Sequence, residues 1–91
     1  MIKKSQIPQR QDGYRLEMIE NEVLLFNPGQ AQILYFNPSA AVIWQLCDGE
    51  RTVQEITDLL TEAYPDAARD IAQDVESTLS SLGNHGAITF D

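Results

Sequence analysis

The order of apolar and polar residues along the chain predicts strands in its first part. Tyr14, Leu16 and Met18 alternate with polar residues, which is typical of a strand with one buried face. Residues 23–26 form a short unbroken apolar run, which predicts a strand covered on both faces. A third strand is predicted over residues 31–36. The expected sheet is therefore a three-stranded antiparallel meander whose last strand lies at an edge.

Residues with special backbone preferences mark the turns between these strands. Glu20 and Asn21 are predicted to form the first hairpin turn. Pro28 and Gly29 predict a type II turn, because proline presets the first central position and glycine accepts a positive φ at the second. In the third strand Tyr35 and Phe36 alternate, so one should face the core and the other should be available to a ligand.

Beyond residue 36 the apolar positions recur at helical spacing and predict three helices. Asn37 is a good cap for the first helix and Pro38 suits its first position. Thr52 and Glu55 form a capping-box pattern that opens the second helix, and Asp66 is predicted to cap the third. The predicted buried stripes are Ala40, Ile43, Trp44 and Cys47, then Ile56, Leu59, Leu60 and Ala63, and finally Ile71, Val75, Leu79 and Leu82.

The fold class that follows is α+β, with an N-terminal three-stranded antiparallel sheet followed by three helices in a winged helix-turn-helix-like order. Residues 1–13 show no period and contain proline and glycine, so they are predicted to be a flexible arm, and residues 14–91 a single domain. Residues 83–86 should end the third helix, and residues 87–90 add a short extended tail. No apolar run reaches the roughly 18 residues of a spanning helix, which predicts a cytoplasmic protein without a membrane partner.

The charge of the chain argues against one class of function. The 91 residues carry a net charge of −8, and residues 16–91 hold thirteen acidic side chains against Arg51 and Arg69. Nucleic-acid binding depends on neutralising phosphates, so this balance disfavours a nucleic-acid partner. Catalysis has little support, because Cys47 falls in an apolar stripe and His85, the one histidine, in a glycine-flanked loop.

Strand addition is the binding mode that the pattern leaves open. A peptide can pair with a free strand edge through its main chain and place alternate side chains in a neighbouring groove. We expect that groove between the third strand and the third helix, with Ile71 and Val75 as apolar contacts and Asp70 and Asp74 at the rim. A peptide with apolar anchors and a lysine or arginine would fit it. A winged-helix DNA-binding regulator remains the second hypothesis, and a small enzyme or metal protein the third.

An ordered set of short motifs carries a resemblance to a known family. The motifs are Phe36-Asn37-Pro38-Ser39-Ala40 before Ile43-Trp44, the run from Leu46 to Ile56, which contains Asp48-Gly49, then Asp74-Val75 with Leu79 and Leu82, and Gly86-Ala87-Ile88. Together they make the chain similar to the PqqD family over about residues 23–88. Members of that family act as recognition elements for leader peptides in the biosynthesis of ribosomally made, modified peptides, including the precursor of pyrroloquinoline quinone.

The resemblance implies a non-catalytic peptide chaperone without cofactor or metal. Its partners would be a precursor peptide, bound through its leader by strand addition, and a modifying enzyme, which in the pyrroloquinoline quinone pathway is a radical S-adenosylmethionine protein. Apart from the resemblance, the unpaired edge of the third strand could pair with a copy of itself, so the chain is expected to be a monomer or a weak homodimer. By position, the implied peptide-binding residues are Ala31, Gln32, Ile33, Leu34, Tyr35, Phe36, Asp70, Ile71, Asp74, Val75 and Thr78.

Overall fold

A computed structural model describes residues 2–20 and 22–90, and the chain forms five strands and three α-helices in those ranges. The strands are β1 (Pro8–Arg10), β2 (Arg15–Ile19), β3 (Glu22–Asn27), β4 (Gln32–Phe36) and β5 (Ile88–Phe90). The helices are α1 (Pro38–Gln45), α2 (Val53–Ala63) and α3 (Ala68–Asn84), and a single 3-10 turn (Pro65–Ala67) precedes α3. The predicted α+β class and the helix order are confirmed.

The predicted meander is present as an antiparallel sheet in the order β2-β3-β4. Its register places Leu16 opposite Leu25 and Leu25 opposite Leu34. These three residues lie on the face that packs against the helices, where Leu25 is fully buried. Because side chains alternate across a strand, their neighbours Leu24 and Phe26 lie on the other face. That face has no covering element in the described part of the chain, so the prediction of cover on both faces of residues 23–26 is wrong.

The turn predictions are partly confirmed. The segment after β3 does turn, because the Gln30 amide donates to the Asn27 carbonyl at 3.2 Å. Gly29, however, does not have a positive φ, and Ala31 takes the left-handed conformation instead, with φ 51°. Ala31 therefore belongs to the turn, and β4 begins one residue later than predicted. Of the first hairpin turn, Glu20 has φ 56°, and Asn21 lies outside the described residues.

The capping residues predicted from the sequence are present at the starts of α1 and α2 but not at the start of α3. The Asn37 side chain accepts from the Ala40 amide, and Thr52 and Glu55 form the complete capping box. The start of α3 differs, because Ala67 occupies its cap position without a side-chain bond and Asp66 lies inside the 3-10 turn. Pro65 begins that turn, since its fixed φ suits a first helical position. The prediction of Asp66 as the cap is wrong.

The prediction of a flexible arm over residues 1–13 is wrong for the segment that contains β1. Pro8–Arg10 pairs antiparallel with β5, and Pro8 is fully buried. The Arg10 amide donates to the Cys47 carbonyl at 3.0 Å, which places β1 between β5 and the loop after α1. The Gln6 and Lys4 carbonyls accept from the Val53 and Gln54 amides at 2.9 and 3.0 Å. Main-chain bonds of this kind depend on distant partners and leave no periodic signal in the sequence.

The core lies between the sheet and the three helices. Its fully buried members include Leu25, Ile56, Leu79 and Leu82, and Trp44 is 8 % exposed, so the prediction that Trp44 packs in the core is confirmed. Two members of the predicted stripe of α2 are not buried, because Leu59 is 41 % exposed and Ala63 is also exposed. Within residues 2–20 and 22–90, no helix combines the length and the apolar composition needed to cross a membrane.

Candidate functional site

The outer edge of β4 is a row of backbone groups that faces away from the sheet. β4 pairs with β3 on one side only, and within the described residues no other strand pairs with it. The C-terminal strand β5 does not cover this edge, because it pairs with β1. Alternate N–H and C=O groups of an edge strand lack ladder partners and are available to a further strand.

Beside this edge lies the β4–α3 groove, a cavity of about 460 Å³. The strand side contributes an apolar floor, because Leu34 and Phe36 face the core. The helix side contributes hydroxyl groups, which can hydrogen-bond to a peptide backbone or to polar side chains. The residues that line the groove are Ile33, Leu34, Tyr35, Phe36, Asn37, Ala40, Ser77, Thr78, Ser81 and His85.

The alternation predicted for β4 is confirmed. Phe36 is half-buried against the core, and Tyr35 is 72 % exposed. Ile33 lies on the same outer face as Tyr35 and is 53 % exposed. A strand added at this edge would therefore meet a polar-walled groove on one face of the sheet and an apolar surface on the other.

Hydrogen bonds are present at both ends of the groove. At one end the His85 carbonyl accepts from the Tyr14 hydroxyl at 3.1 Å and from the Gln32 side-chain amide at 3.4 Å, which ties the start of β4 to the end of α3. At the other end Asn37 Oδ1 accepts from the Ala40 amide at 2.8 Å and from the Ser39 hydroxyl at 2.9 Å. The bonds to His85 connect the start of β4 to the end of α3, whereas the bonds of Asn37 are local and fix the start of α1.

A second cavity, the helix cavity, lies beyond the Asn37 end and includes Pro38 and Ser39 of α1. It has a volume of about 410 Å³ and lies among α1, α2 and α3. Its walls are mostly apolar, and Asp74 stands at its exposed margin. The lining residues are Pro38, Ser39, Val42, Ile43, Leu60, Tyr64, Ala67, Ile71, Asp74 and Val75.

The structure divides the predicted site residues between these two cavities. Residues 33–36 and Thr78 line the β4–α3 groove, whereas Ile71, Asp74 and Val75 line the helix cavity. Ile71 and Val75 are buried core residues, so each offers only part of its surface. Gln32 contributes through its bond to His85, and Ala31 lies in the turn before β4. Asp70 is exposed and is absent from the lining of both cavities in the described part of the chain.

Several residues that line the groove were not predicted from the sequence as binding residues. Ser77, Ser81 and His85 succeed one another at intervals of four along α3 and its cap, beside the buried line of Val75 and Leu79. That spacing places them on one helical face. The sequence contains this spacing, but polar residues next to an apolar stripe also occur on ordinary solvent-facing helices. His85, predicted as a loop residue, caps α3 and places its Nδ1 2.8 Å from the Ser81 carbonyl.

The two residues considered for catalysis, Cys47 and His85, do not lie together at either cavity. His85 lines the groove, but Cys47 is fully buried and lines neither cavity, and among the described residues Asp74 is the one acidic residue in the two linings. Across the described ranges, no three histidine, cysteine, aspartate or glutamate side chains are grouped closely enough to hold a metal ion.

Comparisons with known proteins agree with one another. Residues 22–88 match the family model described as coenzyme PQQ synthesis protein D (PqqD). A protein of Rahnella aquatilis named PqqA binding protein is 35 % identical over 86 residues, which cover 91 % of this chain and 86 % of that protein. A PqqA binding protein of Pseudomonas entomophila is 33 % identical over 76 residues, covering 80 % and 79 %.

A solved structure shares the fold. The structure of TbiB1 in complex with the TbiA(beta) leader peptide is 20 % identical to this chain and superposes with a TM-score of 0.69. The match covers 88 % of this chain and 93 % of that one. At this identity the likeness concerns the arrangement of strands and helices alone.

Proposed function

The chain belongs to the PqqD family, and we propose that it binds the leader region of a ribosomally made precursor peptide by strand addition to β4. The observation that carries the proposal is the open edge of β4 beside a groove of about 460 Å³. Relatives at 33 to 35 % identity are named for binding PqqA, and the fold neighbour is a leader-peptide complex.

The two cavities suggest a length for the bound segment. From His85 back to Ile71, α3 passes first along the groove and then along the helix cavity. Fourteen helical residues rise about 21 Å, which six or seven residues of an extended peptide would span. The ligand would thus pair with β4 through its backbone and then pass the start of α1 at Pro38 and Ser39.

Each cavity favours a different kind of side chain. The apolar helix cavity suits an aliphatic or aromatic anchor, whose burial contributes about 1.5–3 kcal/mol. Asp74 at its margin, in a chain of net charge −8, favours a lysine or arginine next to that anchor. The hydroxyl-lined groove suits small or polar side chains.

The proposed role is non-catalytic: the protein holds the precursor and presents it to a modifying enzyme, a radical S-adenosylmethionine protein if the pathway is that of pyrroloquinoline quinone. A winged-helix DNA regulator is less well supported. The exposed side of α3 carries Asp70, Asp74 and Glu76 against Arg69, and phosphates would be repelled there.

A titration of isotopically labelled protein with the precursor peptide encoded beside its gene tests the proposal. We expect amide shifts in residues 32–37 and along the groove side of α3 at Ser77, Thr78 and Ser81. Protection of the peptide's own alternate amides from hydrogen exchange would report strand pairing. Shifts confined to β2 or to α2, or no binding at millimolar peptide, would contradict it.

Charge reversal gives a sharper test, because α3 offers a matched pair. Asp74→Lys places a cation at the margin of the helix cavity, and Asp70→Lys makes the same change one turn away, outside both cavities. For a peptide with a basic residue we expect Asp74→Lys to weaken binding about two- to fivefold, as the loss of an exposed ion pair worth up to about 1 kcal/mol predicts, and Asp70→Lys to change it less than twofold. Calorimetric titration measures both. Equal losses would indicate a general charge effect and remove Asp74 from the site.

A further inference from the structure

The outward side chains of β4 are an apolar feature that the inward contacts of a bound peptide leave unexplained. Ile33 is 53 % exposed and Tyr35 is 72 % exposed, and they lie two residues apart on the sheet face that points away from the helices. Both line the cavity of about 460 Å³ at the β4 edge, together with Leu34 and Phe36 of the inner face. The open space at this edge is therefore bordered by side chains of both sheet faces. We call Ile33 and Tyr35 the outer strip.

The two edges of this sheet differ in their protection against a further strand. Edge strands of natural proteins commonly carry charged side chains, which discourage pairing with other chains. β2, the opposite edge, follows this rule, because Arg15 and Glu17 lie on its outer face. β4 carries no charged residue, and its outward positions hold a β-branched and an aromatic side chain, the types that favour strand pairing. The outer strip therefore belongs to the edge that is suited to accept a strand.

The charged residues of the same face lie far from a strand added to β4. With strands about 4.8 Å apart, such a strand would lie about 9.6 Å from β3 and about 14 Å from β2. Glu22 is the first residue of β3, and Arg15 and Glu17 belong to β2. Exposed charges at these distances are largely screened at physiological salt, where the Debye length is about 8 Å. The nearest neighbours of the outward side chains of that strand would therefore be the apolar residues of the outer strip.

The size of the outer face indicates what covers the outer strip. Three strands about 4.8 Å apart and about 17 Å long outline roughly 240 Å² of sheet face. A stable interface with a globular partner buries about 800 Å² on each side, so this face is too small to hold such a partner by itself. A strand that is already held by backbone pairing needs no such area, because each cross-strand side-chain pair adds to the contact. The occupant that fits is the added peptide strand.

We propose that Ile33 and Tyr35 contact the outward side chains of the bound peptide and select apolar residues, β-branched or aromatic, at two alternate positions of it. The inference rests on the proposed strand addition to β4 and names a feature of the ligand that the groove does not determine. Because side chains alternate along a strand, the residue between these two positions points into the β4–α3 groove and its hydroxyl-bearing wall. The expected segment is apolar outward and small or polar inward, the opposite of an ordinary surface strand.

Calorimetric titration with the precursor peptide encoded beside the gene tests the proposal on a matched pair of isoleucines. Ile33 and Ile19 lie on the same sheet face with similar exposure, 53 % and 57 %, but on opposite edges. Ile33→Thr and Tyr35→Thr should each weaken binding about two- to fivefold, because threonine keeps the strand preference and loses the apolar contact. Ile19→Thr should change binding by less than about 1.5-fold, because it lies beyond the reach of the peptide. Circular dichroism checks that the three variants fold.

A serine scan of the peptide turns these variants into double-mutant cycles, which isolate the contact between two side chains. Coupling of Ile33→Thr to one peptide position and of Tyr35→Thr to the position two residues away would support the proposal. Coupling to adjacent peptide positions would overturn it, because neighbouring residues of a strand point to opposite faces.

The remaining outcomes separate this inference from the proposed function. Equal effects of Ile33→Thr and Ile19→Thr, while the peptide still shifts the amides of residues 32–37, would overturn the inference and leave strand addition intact. A peptide that binds without shifting those amides would overturn both. Amide shifts of Ile33 and Tyr35 that grow with protein concentration in the absence of peptide would assign the outer strip to a second copy and overturn the inference alone.

Discussion

At the scale of single residues, Cys47 shows how burial decides chemistry. Its side chain is fully buried, and Sγ donates to the Ile43 carbonyl at 3.2 Å. Burial raises the pKa of the thiol to about 12, because the thiolate would lose its hydration; Arg10 opposes the shift, and Asp48 adds to it. The thiol is therefore protonated at neutral pH, as the helical spacing of Ala40, Ile43, Trp44 and Cys47 predicted for a core residue.

Ala31 illustrates a residue-scale feature that sequence rules misplaced. Composition rules assign the positive φ of this turn to Gly29, yet the Gly29 amide instead donates to Asn27 Oδ1 at 3.0 Å. Two overlapping turns follow, closed by the Gln30 amide on Asn27 and the Ala31 amide on Pro28. The left-handed step then falls on Ala31, immediately before β4. Which residue reverses the chain depends on how the loop closes on the strand pair, and composition alone does not encode that.

Replacing Ala31 with glycine is expected to stabilise the protein. A left-handed alanine costs about 1–2 kcal/mol, and glycine removes that cost while adding back about 0.4–1 kcal/mol of entropy in the unfolded chain. The expected net gain in the free energy of unfolding is roughly 0.5–1 kcal/mol, measured by urea denaturation. Ala72→Gly, an exposed site inside α3, is the control and should lose about 1 kcal/mol. A loss of stability in Ala31→Gly as well would contradict the left-handed assignment.

At the scale of elements, local chemistry predicted the starts of α1 and α2 and failed at α3. The side chains of Asn37 and Thr52 each accept a hydrogen bond from an amide three residues further along the chain. Both partners of each bond can therefore be recognised in a short stretch of sequence. The groove is different in kind. Ser77, Ser81 and His85 form a polar wall only because β4 lies next to α3, and that packing is a feature of the tertiary structure. The sequence therefore predicts β4 and α3 as the two walls of the candidate site, but it places the helix contacts closer to Asp70 than the groove lies.

The capping box of α2 makes a prediction about acid stability. The pKa of Glu55 is lowered chiefly because its carboxylate accepts from the Thr52 amide, with a further contribution from the Thr52 hydroxyl. A folded-state pKa below the unfolded value means that the stabilisation is present above about pH 4.3 and is lost as the pH falls through the lower folded pKa. Glu55→Gln keeps an acceptor but does not titrate.

Thermal unfolding from pH 6 to pH 3 measures this effect. Wild type should lose stability more steeply below about pH 4.5 than Glu55→Gln, and the two should converge at the lowest pH. Glu62→Gln removes an exposed acid from the end of the same helix and should follow the wild-type curve. If Glu55→Gln and Glu62→Gln gave parallel curves, the carboxylate of Glu55 would have no special role in the cap.

At the scale of the whole molecule, the chain is joined by contacts between its two ends. β1 pairs with β5, and the segment before β1 supplies backbone acceptors to the first turn of α2. Arg10 also lies over the Trp44 ring, 5.5 Å from its centroid, and donates to the Gln45 carbonyl at 2.9 Å. Apolar periodicity identified the core elements because burial leaves a pattern in the sequence. It missed this N-terminal segment because main-chain hydrogen bonds are made equally well by polar residues.

Removing residues 1–10 should therefore destabilise the entire domain. The truncation takes away the acceptors of Val53 and Gln54, the partner strand of β5 and the buried ring of Pro8. At about 1 kcal/mol for each net hydrogen bond, with buried apolar surface added, we expect a loss of roughly 3–5 kcal/mol in the free energy of unfolding, out of the 5–15 kcal/mol typical of a domain. Urea denaturation measures this loss.

The double variant Lys3→Ala/Lys4→Ala separates the charges of this segment from its backbone. It removes two lysine side chains but keeps the Lys4 carbonyl that accepts from Gln54, so it should unfold within about 0.5 kcal/mol of wild type. The thiol of Cys47 gives a second readout, because the Cys47 carbonyl accepts from Arg10 of β1. Without β1, the structure around Cys47 should open more often. Alkylation of the Cys47 thiol at pH 8 should therefore accelerate by at least tenfold. Equal urea midpoints and equal alkylation rates for the truncated and full-length chains would mean that residues 1–10 are a dispensable arm after all.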